Sequence, residues 1–248
     1  MLAELAASSG AFSVEYARLE TGTAEFKQAD GRPDREKILA AIKPVLAEKL
    51  SAEALRNYDL VIFANTSGDL ALPNPQALLD WIKEGHAFVG MHAATDTLPG
   101  FQPYTEMIGG HFLQHGPQVK VQVINQDSNS PACSHLGPTW TVFDEIYQLK
   151  DFDTNVHRLL SLDELMLNAD DIKNQKVTPG DYPIAWCKEY GKGRVFYTSL
   201  GHREDIWDPS WSDTNGNRAN PPEIARRYQQ HILGGIRWAL KLAAKSAE

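Results

Sequence analysis

Residues 85–96 of the chain, GHAFVGMHAATD, carry a short apolar run that leads directly into a histidine. The run AFVG, residues 87–90, has the length and composition of a buried strand, and Met-His-Ala-Ala after it indicates a sharp turn from strand to helix. In many α/β enzymes a turn of this kind presents a nucleophilic Ser or Cys at the edge of the sheet. His92 takes that position here, so the turn predicts a site with a different chemistry.

The first half of the chain alternates between helices and strands. Predicted helices cover residues 1–10, 34–49, 74–85 and 104–109, and predicted strands cover residues 12–19, 58–65 and 86–92. The strand over residues 58–65, YDLVIFAN, is continuously apolar, as expected for a strand that is covered on both faces. Pro44 lies inside the second helix and should kink or break it.

The second half has a more alternating pattern, which is typical of half-exposed strands. Such strands are predicted over residues 118–125, 141–149 and 157–165, and two more over residues 183–200 are joined by a turn at Gly191 and Gly193. Asn220 is predicted to cap a final helix, with Pro221 at its first position and Glu223 at its third. The long polar loop over residues 205–222 is of a length that is often functional.

This order of elements predicts an α/β fold. We expect a mostly parallel sheet with helices on both faces and an antiparallel extension. Ligands of such sheets bind outside the carboxyl ends of the strands. That rule brings residues 65–67, 92–96 and 199–202 to one edge of the sheet.

Composition excludes several classes of protein. The net charge of −8 argues against a nucleic-acid-binding protein, which needs a basic patch to contact phosphates. No apolar run approaches the roughly 18 residues of a membrane span, and the start, MLAELAASSG, lacks the features of a signal peptide. Two cysteines give no disulfide framework and fit a reducing, cytoplasmic compartment.

Histidines follow the predicted strand ends. His92 and His202 each end a strand, His111 and His115 follow Gly109 and Gly110, and Glu145 lies in the segment FDEIY. Such a set suits a divalent metal such as Zn²⁺, or general acid–base chemistry near neutral pH. His111 and His115 would share a helix face, but the neighbouring glycines and Pro117 disfavour a helix there. Surface or boundary positions are expected for His86, His157 and His231.

Several stretches of the chain, in order, resemble the ThuA-like trehalose-utilisation family. They are YDLVIFAN, GHAFVGMHAATDT, YTEMIGGHFLQHGP, DEIY, YPIAWCKEYGKGRVFYTSLGH and ILGGIRWAL. The resemblance implies one ThuA-like domain over residues 1–248, with the flavodoxin-like fold of class I glutamine amidotransferases. Those enzymes carry a Cys at the strand-to-helix turn, where this chain has His92. Thiolate-based glutamine hydrolysis is therefore disfavoured.

The family is associated with the breakdown of disaccharides, including routes through 3-keto sugars. The resemblance therefore implies a sugar lyase, isomerase or hydrolase that acts on a disaccharide or a 3-keto-glycoside. Abstracting the proton beside a keto group needs a base, together with a metal or a His donor that stabilises the enediolate. The alternative is a non-catalytic carbohydrate-binding or accessory protein on the same scaffold.

The candidate residues follow from these patterns. Expected catalytic residues are His92, His202 and Glu145, and expected ligands of Zn²⁺ or Mn²⁺ are His92, His115 and His202. Expected substrate-binding residues are Asn65, Thr95, Asp96, Trp207 and Trp211. The two tryptophans could stack on a sugar or anchor their loop. No nucleotide cofactor is expected. Convergence of the three histidines around one pocket near Glu145 would favour the enzyme, whereas scattered histidines and a cleft lined only by the two tryptophans would favour binding.

One feature departs from the family. Its members begin with an apolar strand in the middle of the sheet, whereas this chain begins at Met1 in the helix that follows. Absence of that strand would leave backbone groups of its neighbours unpaired, so we expect either that the start site is set too late or that the sheet closes differently. The expected ligand is a small sugar, with no nucleic-acid or membrane partner. Strands of the second half leave an edge that a homodimer could cover.

Overall fold

The computed structural model describes residues 1–175 and 182–242. Its helices are α1 (Leu2–Ser9), α2 (Arg35–Leu50), α3 (Pro75–Lys83), α4 (Gln102–Ile108), α5 (Ala169–Gln175), α6 (Glu204–Trp207) and α7 (Pro222–Ala239). Its strands are β1 (Leu60–Ala64), β2 (Ala87–Met91), β3 (His111–His115), β4 (Val119–Asn125), β5 (Thr139–Asp144), β6 (Tyr147–Lys150), β7 (His157–Leu162), β8 (Pro183–Tyr190) and β9 (Gly193–Thr198). Short 3₁₀ turns cover Ala24–Phe26, Ala54–Asn57, His92–Asp96 and Glu164–Met166.

The main sheet has seven strands in the order β1-β2-β9-β8-β7-β4-β5. β2 pairs in parallel with β1 on one side and with β9 on the other. From β9 outward, all neighbours are antiparallel. β3 and β6 form a separate antiparallel ribbon of two strands. The predicted α/β fold, with a parallel part and an antiparallel extension, is confirmed.

Helices cover both faces of the parallel strands. β2 is buried at every position because successive side chains enter different cores. Phe88 packs into the core beside α3 and α4, whereas Val89 packs into the core beside α7. α7 approaches closely because Gly235 has no side chain, and a Cβ there would lie 2.4 Å from the ring of Phe196. Among the described residues, no helix has both the length and the apolar character that crossing a membrane requires.

The edge of the sheet at β1 differs from the sequence-based expectation. β1 is the outermost strand of the main sheet, and each strand from β1 across to β5 pairs with the next, so the described residues leave no gap inside the sheet. Val61 and Phe63 are buried, whereas Leu60 and Ile62 are only half-buried. The prediction that this strand is covered on both faces was therefore wrong. Residues 12–19 form no strand, because no neighbouring strand offers them backbone partners. Side chains hold this segment instead, since Glu15 accepts hydrogen bonds from Lys49 and Tyr58.

Three further predictions need correction. α2 continues through Pro44, and only Leu46 of this surface helix is buried, so water can reach the carbonyl that proline leaves unpaired. Asn220 does not cap α7, which begins after Pro221; its side chain bonds to Phe143 and Asp205 instead. His231 is fully buried rather than at the surface, because it lies on the face of α7 that packs against the sheet.

The buried His231 should make the fold sensitive to acid. Its Nδ1 donates to the carbonyl of Ala132 at 2.8 Å, and burial lowers its pKa to about 4. In the unfolded chain the ring of His231 takes up a second proton near pH 6.5, whereas in the folded chain it does so only near pH 4. The free energy of unfolding therefore decreases as the pH falls from 6.5 to 4.

We predict that His231→Leu flattens the pH dependence of the free energy of unfolding. Between pH 7 and pH 4.5 the wild type should lose about 2–3 kcal/mol more than the variant. Urea unfolding at the two pH values measures the difference. Equal losses for wild type and variant would show that this histidine does not stay neutral in the folded chain.

Candidate functional site

Three strand ends form one side of the candidate site. The parallel pairing of β1, β2 and β9 brings Asn65, His92 and the segment after Thr198 to the same edge of the sheet. His92 has a positive φ of 47°, so the chain turns sharply after β2. Asn65 donates through Nδ2 to the carbonyl of Gly201 at 3.2 Å, which links the residues following β1 and β9.

The ribbon of β3 and β6 forms the opposite side. Residues 141–149, predicted as one strand, are split between β5 in the main sheet and β6 in the ribbon. Glu145 lies in the link between the two strands, and Tyr147 pairs with His115 across the ribbon. His111 and His115 thus lie on a strand and not on a helix. The split allows one short segment to place Glu145 and Tyr147 against His92.

Hydrogen bonds set the protonation state of His92. Its Nδ1 lies 2.8 Å from the carbonyl oxygen of Ser199, which can only accept, so Nδ1 carries the hydrogen. Burial lowers the pKa of His92 to about 4, although the Ser199 carbonyl opposes this and the nearby His202 and His115 add to it. The ring is therefore neutral at pH 7, and the lone pair of Nε2 points into the site.

Tyr147 donates its hydroxyl hydrogen to this lone pair, with the phenol oxygen 2.9 Å from Nε2 of His92. The Tyr147 ring is buried between neighbouring aromatic rings, with centroids of His92 and Phe112 both at 4.5 Å. Burial holds the pKa of the phenol well above its ordinary value, so the hydroxyl remains a donor at neutral pH.

His92, Glu145 and His202 bring three possible metal ligands together. Nε2 of His92 lies 3.5 Å from Oε2 of Glu145 and 3.3 Å from Nδ1 of His202, which is 3.1 Å from Oε1 of Glu145. Zn²⁺ bonds of about 2.0–2.1 Å separate neighbouring ligands of a tetrahedral site by about 3.3–3.4 Å. The separation of 3.3 Å between the two imidazole nitrogens matches this value, and one carboxylate oxygen of Glu145 lies within 4.8 Å of both nitrogens, so the three side chains could hold one ion.

His115 lies beside this group rather than in it. Its Nδ1 is 2.7 Å from the carbonyl of Gly116 and 3.5 Å from Oε1 of Glu145. Of the three histidines expected to bind a metal, the structure brings His92 and His202 within ligand reach of each other, and Glu145 takes the third place. Burial raises the pKa of Glu145, while His202 and His115 oppose that shift.

Several expected substrate-binding residues make contacts within the protein. Thr95 is buried, and its hydroxyl oxygen lies 2.9 Å from the hydroxyl oxygen of Tyr197. The Tyr197 hydroxyl in turn donates to the backbone carbonyl of His92. Asp96 is half-buried, and its backbone carbonyl accepts from the amide of Gly68. These contacts shape the turn that carries His92.

The loop that carries both tryptophans is anchored to the sheet. Asp205 is fully buried and accepts two hydrogen bonds from Arg203 and others from Ala219 and Asn220. Asn220 also pairs with the backbone of Phe143 in β5. Trp207 packs against the core beside α7, and the carbonyl of Trp211 accepts from Arg218. The contacts of Trp207 favour an anchoring role for its ring.

Two residues of the site escaped the sequence-based list. Tyr147 lies two residues after Glu145 in DEIY, and residues two apart share one face of a strand. This spacing is the sequence signal that could have identified Tyr147 as a neighbour of the site. Asp144 accepts the amide of Gly201 at 2.7 Å, and burial raises its pKa to about 7. It fixes the turn before His202, and no local pattern distinguishes it from Glu145.

The turn at Gly201 supplies a test of this geometry. Gly201 has a φ of 130°, and a Cβ there would lie 2.6 Å from the hydroxyl of Tyr228. We predict that Gly201→Ala lowers the free energy of unfolding by about 1–3 kcal/mol. Adding Tyr228→Phe should recover the steric part of the loss but not the backbone strain. Urea unfolding of the four chains gives the coupling energy, and strict additivity would contradict the predicted clash.

Comparisons with known proteins agree with this fold. A putative ThuA-like protein from Bacteroides uniformis is 23% identical with a TM-score of 0.58, over 77% of this chain and 73% of that one. A second putative ThuA-like protein, from Parabacteroides merdae, is 17% identical with a TM-score of 0.59, over 78% of this chain and 74% of that one. A cytoplasmic protein of Salmonella typhimurium is 12% identical with a TM-score of 0.52, over 76% of this chain and 75% of that one. At these identities the likeness concerns the fold.

No protein with curated annotation matches the sequence. The sequence profile of the ThuA family, described as trehalose utilisation, matches residues 19–218, which is most of the chain. The chain therefore belongs to the ThuA, or trehalose-utilisation, family.

Proposed function

We propose that this protein is an enzyme of sugar metabolism that transfers a proton on an oxidised glycoside, such as a 3-keto-glycoside, with the help of a divalent cation. The family supports the sugar substrate. The chemistry rests on one observation: the unprotonated Nε2 of His92 lies within 3.5 Å of the Glu145 carboxylate and 3.3 Å of a second imidazole, that of His202.

The cation would be held by His92, Glu145 and His202. Two imidazoles and a carboxylate suit Zn²⁺, and Mn²⁺ is the second candidate. Ser199 supports the site, because a carbonyl that accepts from Nδ1 of His92 fixes the ring with Nε2 as the ligand atom. When bound, the cation would polarise the keto oxygen and stabilise the negative charge that develops there.

His115 is the proposed acceptor of the substrate proton. Its Nδ1 donates to the carbonyl of Gly116, which leaves Nε2 unprotonated in the neutral ring. The side chain is 40% exposed and stands beside Glu145, so a substrate can reach it. General base catalysis of this kind contributes about 10²–10⁴-fold to a rate.

The binding-only alternative has less support. It predicted a cleft lined by Trp207 and Trp211, but Trp207 packs against the core and His92, Glu145 and His202 converge. Two members of this cluster, His92 and Glu145, are buried, and buried polar groups are costly to maintain without a function.

A cytoplasmic location belongs to the same proposal. Cys133 and Cys187 are both buried free thiols, as is common in a reducing compartment. The similar protein from Salmonella typhimurium is described as cytoplasmic. The homodimer remains a prediction from the sequence.

Metal content tests the proposed function first. We predict near-stoichiometric Zn²⁺ or Mn²⁺ in the purified protein by elemental analysis. His92→Ala and Glu145→Gln should each lose most of the metal and at least about 100-fold of the turnover of a 3-keto-glycoside. His157→Ala is the matched control, because His157 is exposed and pairs with Asp127 instead.

Two results would count against the proposal. Full turnover in His92→Ala would remove this cluster from the reaction. Metal retained by both cluster variants, at the level of the His157→Ala control, would place the cation elsewhere.

A further inference from the structure

Two groups compete for the lone pair on Nε2 of His92, namely the Tyr147 hydroxyl and a bound cation. A neutral imidazole has one nitrogen with a hydrogen and one with a lone pair, and Ser199 fixes the hydrogen on Nδ1. Nε2 therefore has a single lone pair, which accepts from the Tyr147 hydroxyl at 2.9 Å, while Nδ1 of His202 lies farther away at 3.3 Å. A cation on Nε2 needs that same lone pair. The hydrogen bond from Tyr147 and a bond to a cation exclude each other.

We propose that Tyr147 is an internal competitor for the ligand atom of His92, and that a cation displaces its hydroxyl, which then donates a hydrogen bond to the substrate. This inference rests on the proposed function. In the chain without a cation, the hydroxyl covers Nε2 and satisfies the buried lone pair. With a cation bound, the hydroxyl hydrogen must find another acceptor, and a substrate oxygen held at the cation is the one that we assign.

The position of Tyr147 distinguishes it from an ordinary supporting residue. Groups that support a metal-bound histidine contact the nitrogen that does not bind the metal, and Ser199 has that place. Tyr147 contacts the other nitrogen, on the side of Glu145 and His202. Removing a supporting group weakens metal binding, whereas removing a competitor strengthens it. The two roles therefore predict opposite signs.

The exchange requires the phenol oxygen to move. The oxygen lies 2.9 Å from Nε2, and a cation bonded at about 2.0–2.1 Å along the same lone pair would stand about 1 Å from that oxygen. The ring contacts His92 and Phe112, and residue 147 pairs with His115 across the ribbon, so the backbone stays in place and the side chain turns. Rotation about the bond between the ring and the hydroxyl oxygen then redirects the hydrogen toward the substrate.

The experiment compares cation binding by wild type, Tyr147→Phe, Tyr197→Phe and His92→Ala. Each metal-free protein is titrated with Zn²⁺ by calorimetry, after a thermal melt has shown that it is folded. The loss of one competing hydrogen bond should make Tyr147→Phe bind Zn²⁺ about 3- to 10-fold more tightly than wild type. Its turnover of a 3-keto-glycoside at saturating Zn²⁺ should fall, because the substrate loses a donor.

Tyr197→Phe is the matched control. It removes a buried hydroxyl from the same neighbourhood, but that hydroxyl donates to the backbone carbonyl of His92 and does not contact Nε2. Its Zn²⁺ affinity should equal that of wild type or fall below it. Tighter Zn²⁺ binding in Tyr147→Phe but not in Tyr197→Phe supports the role of Tyr147 as a competitor for Nε2 of His92.

The outcomes separate this inference from the proposed function. If wild type binds Zn²⁺, His92→Ala does not, and Tyr147→Phe binds equally or more weakly than wild type, the competitor is wrong while the cation site stands. Tighter binding in both tyrosine variants would also overturn it, since the gain would not depend on Nε2. If neither wild type nor Tyr147→Phe binds Zn²⁺, both the cation site and the competitor are wrong.

Discussion

The hydrogen bond from Nδ1 of His92 to the carbonyl of Ser199 is the interaction on which the site depends. It joins the residues that follow β2 and β9, two parallel neighbours whose carboxyl ends lie at one edge of the sheet. It also determines which nitrogen faces the site. Without it, Nε2 could carry the hydrogen, and His92 could then neither accept from Tyr147 nor bind a cation. One backbone carbonyl thus connects the topology of the sheet to the chemistry of its edge.

Two separate sheets supply the other groups. The main sheet carries His92 and the segment that ends at His202, and the ribbon carries His115 and Tyr147. Glu145 lies between β5 and β6, where the chain passes from one sheet to the other. Asp144, the last residue of β5, accepts a hydrogen bond from the amide of Gly201. This buried hydrogen bond lies one residue away from Glu145 on one side and from His202 on the other. A rigid frame of this kind limits how far the ligand atoms can drift.

The sequence predicted much of the fold because the signals for those elements are local. Continuous apolar runs, the Asn74 and Pro75 start of α3 and the glycines of the β8–β9 turn each act within a few residues. Residues 12–19 were predicted incorrectly because a strand needs a partner, which no local pattern reveals. His231 was misplaced for a similar reason, since its burial depends on which face of α7 meets the sheet. Strand ends placed His92 and His202 at one edge, but the approach of Tyr147 depends on a division of β5 from β6 that the continuous pattern of residues 141–149 concealed.

The proposed chemistry requires that His92 is neutral at pH 7 with its hydrogen on Nδ1. Nitrogen-15 NMR of the histidine side chains measures this directly, with His92→Ala used to assign the signals. We expect a protonated Nδ1 and an unprotonated Nε2 for His92, and an Nε2 signal that shifts when Zn²⁺ is added. A hydrogen on Nε2, or a doubly protonated ring at pH 7, would rule out this role for His92.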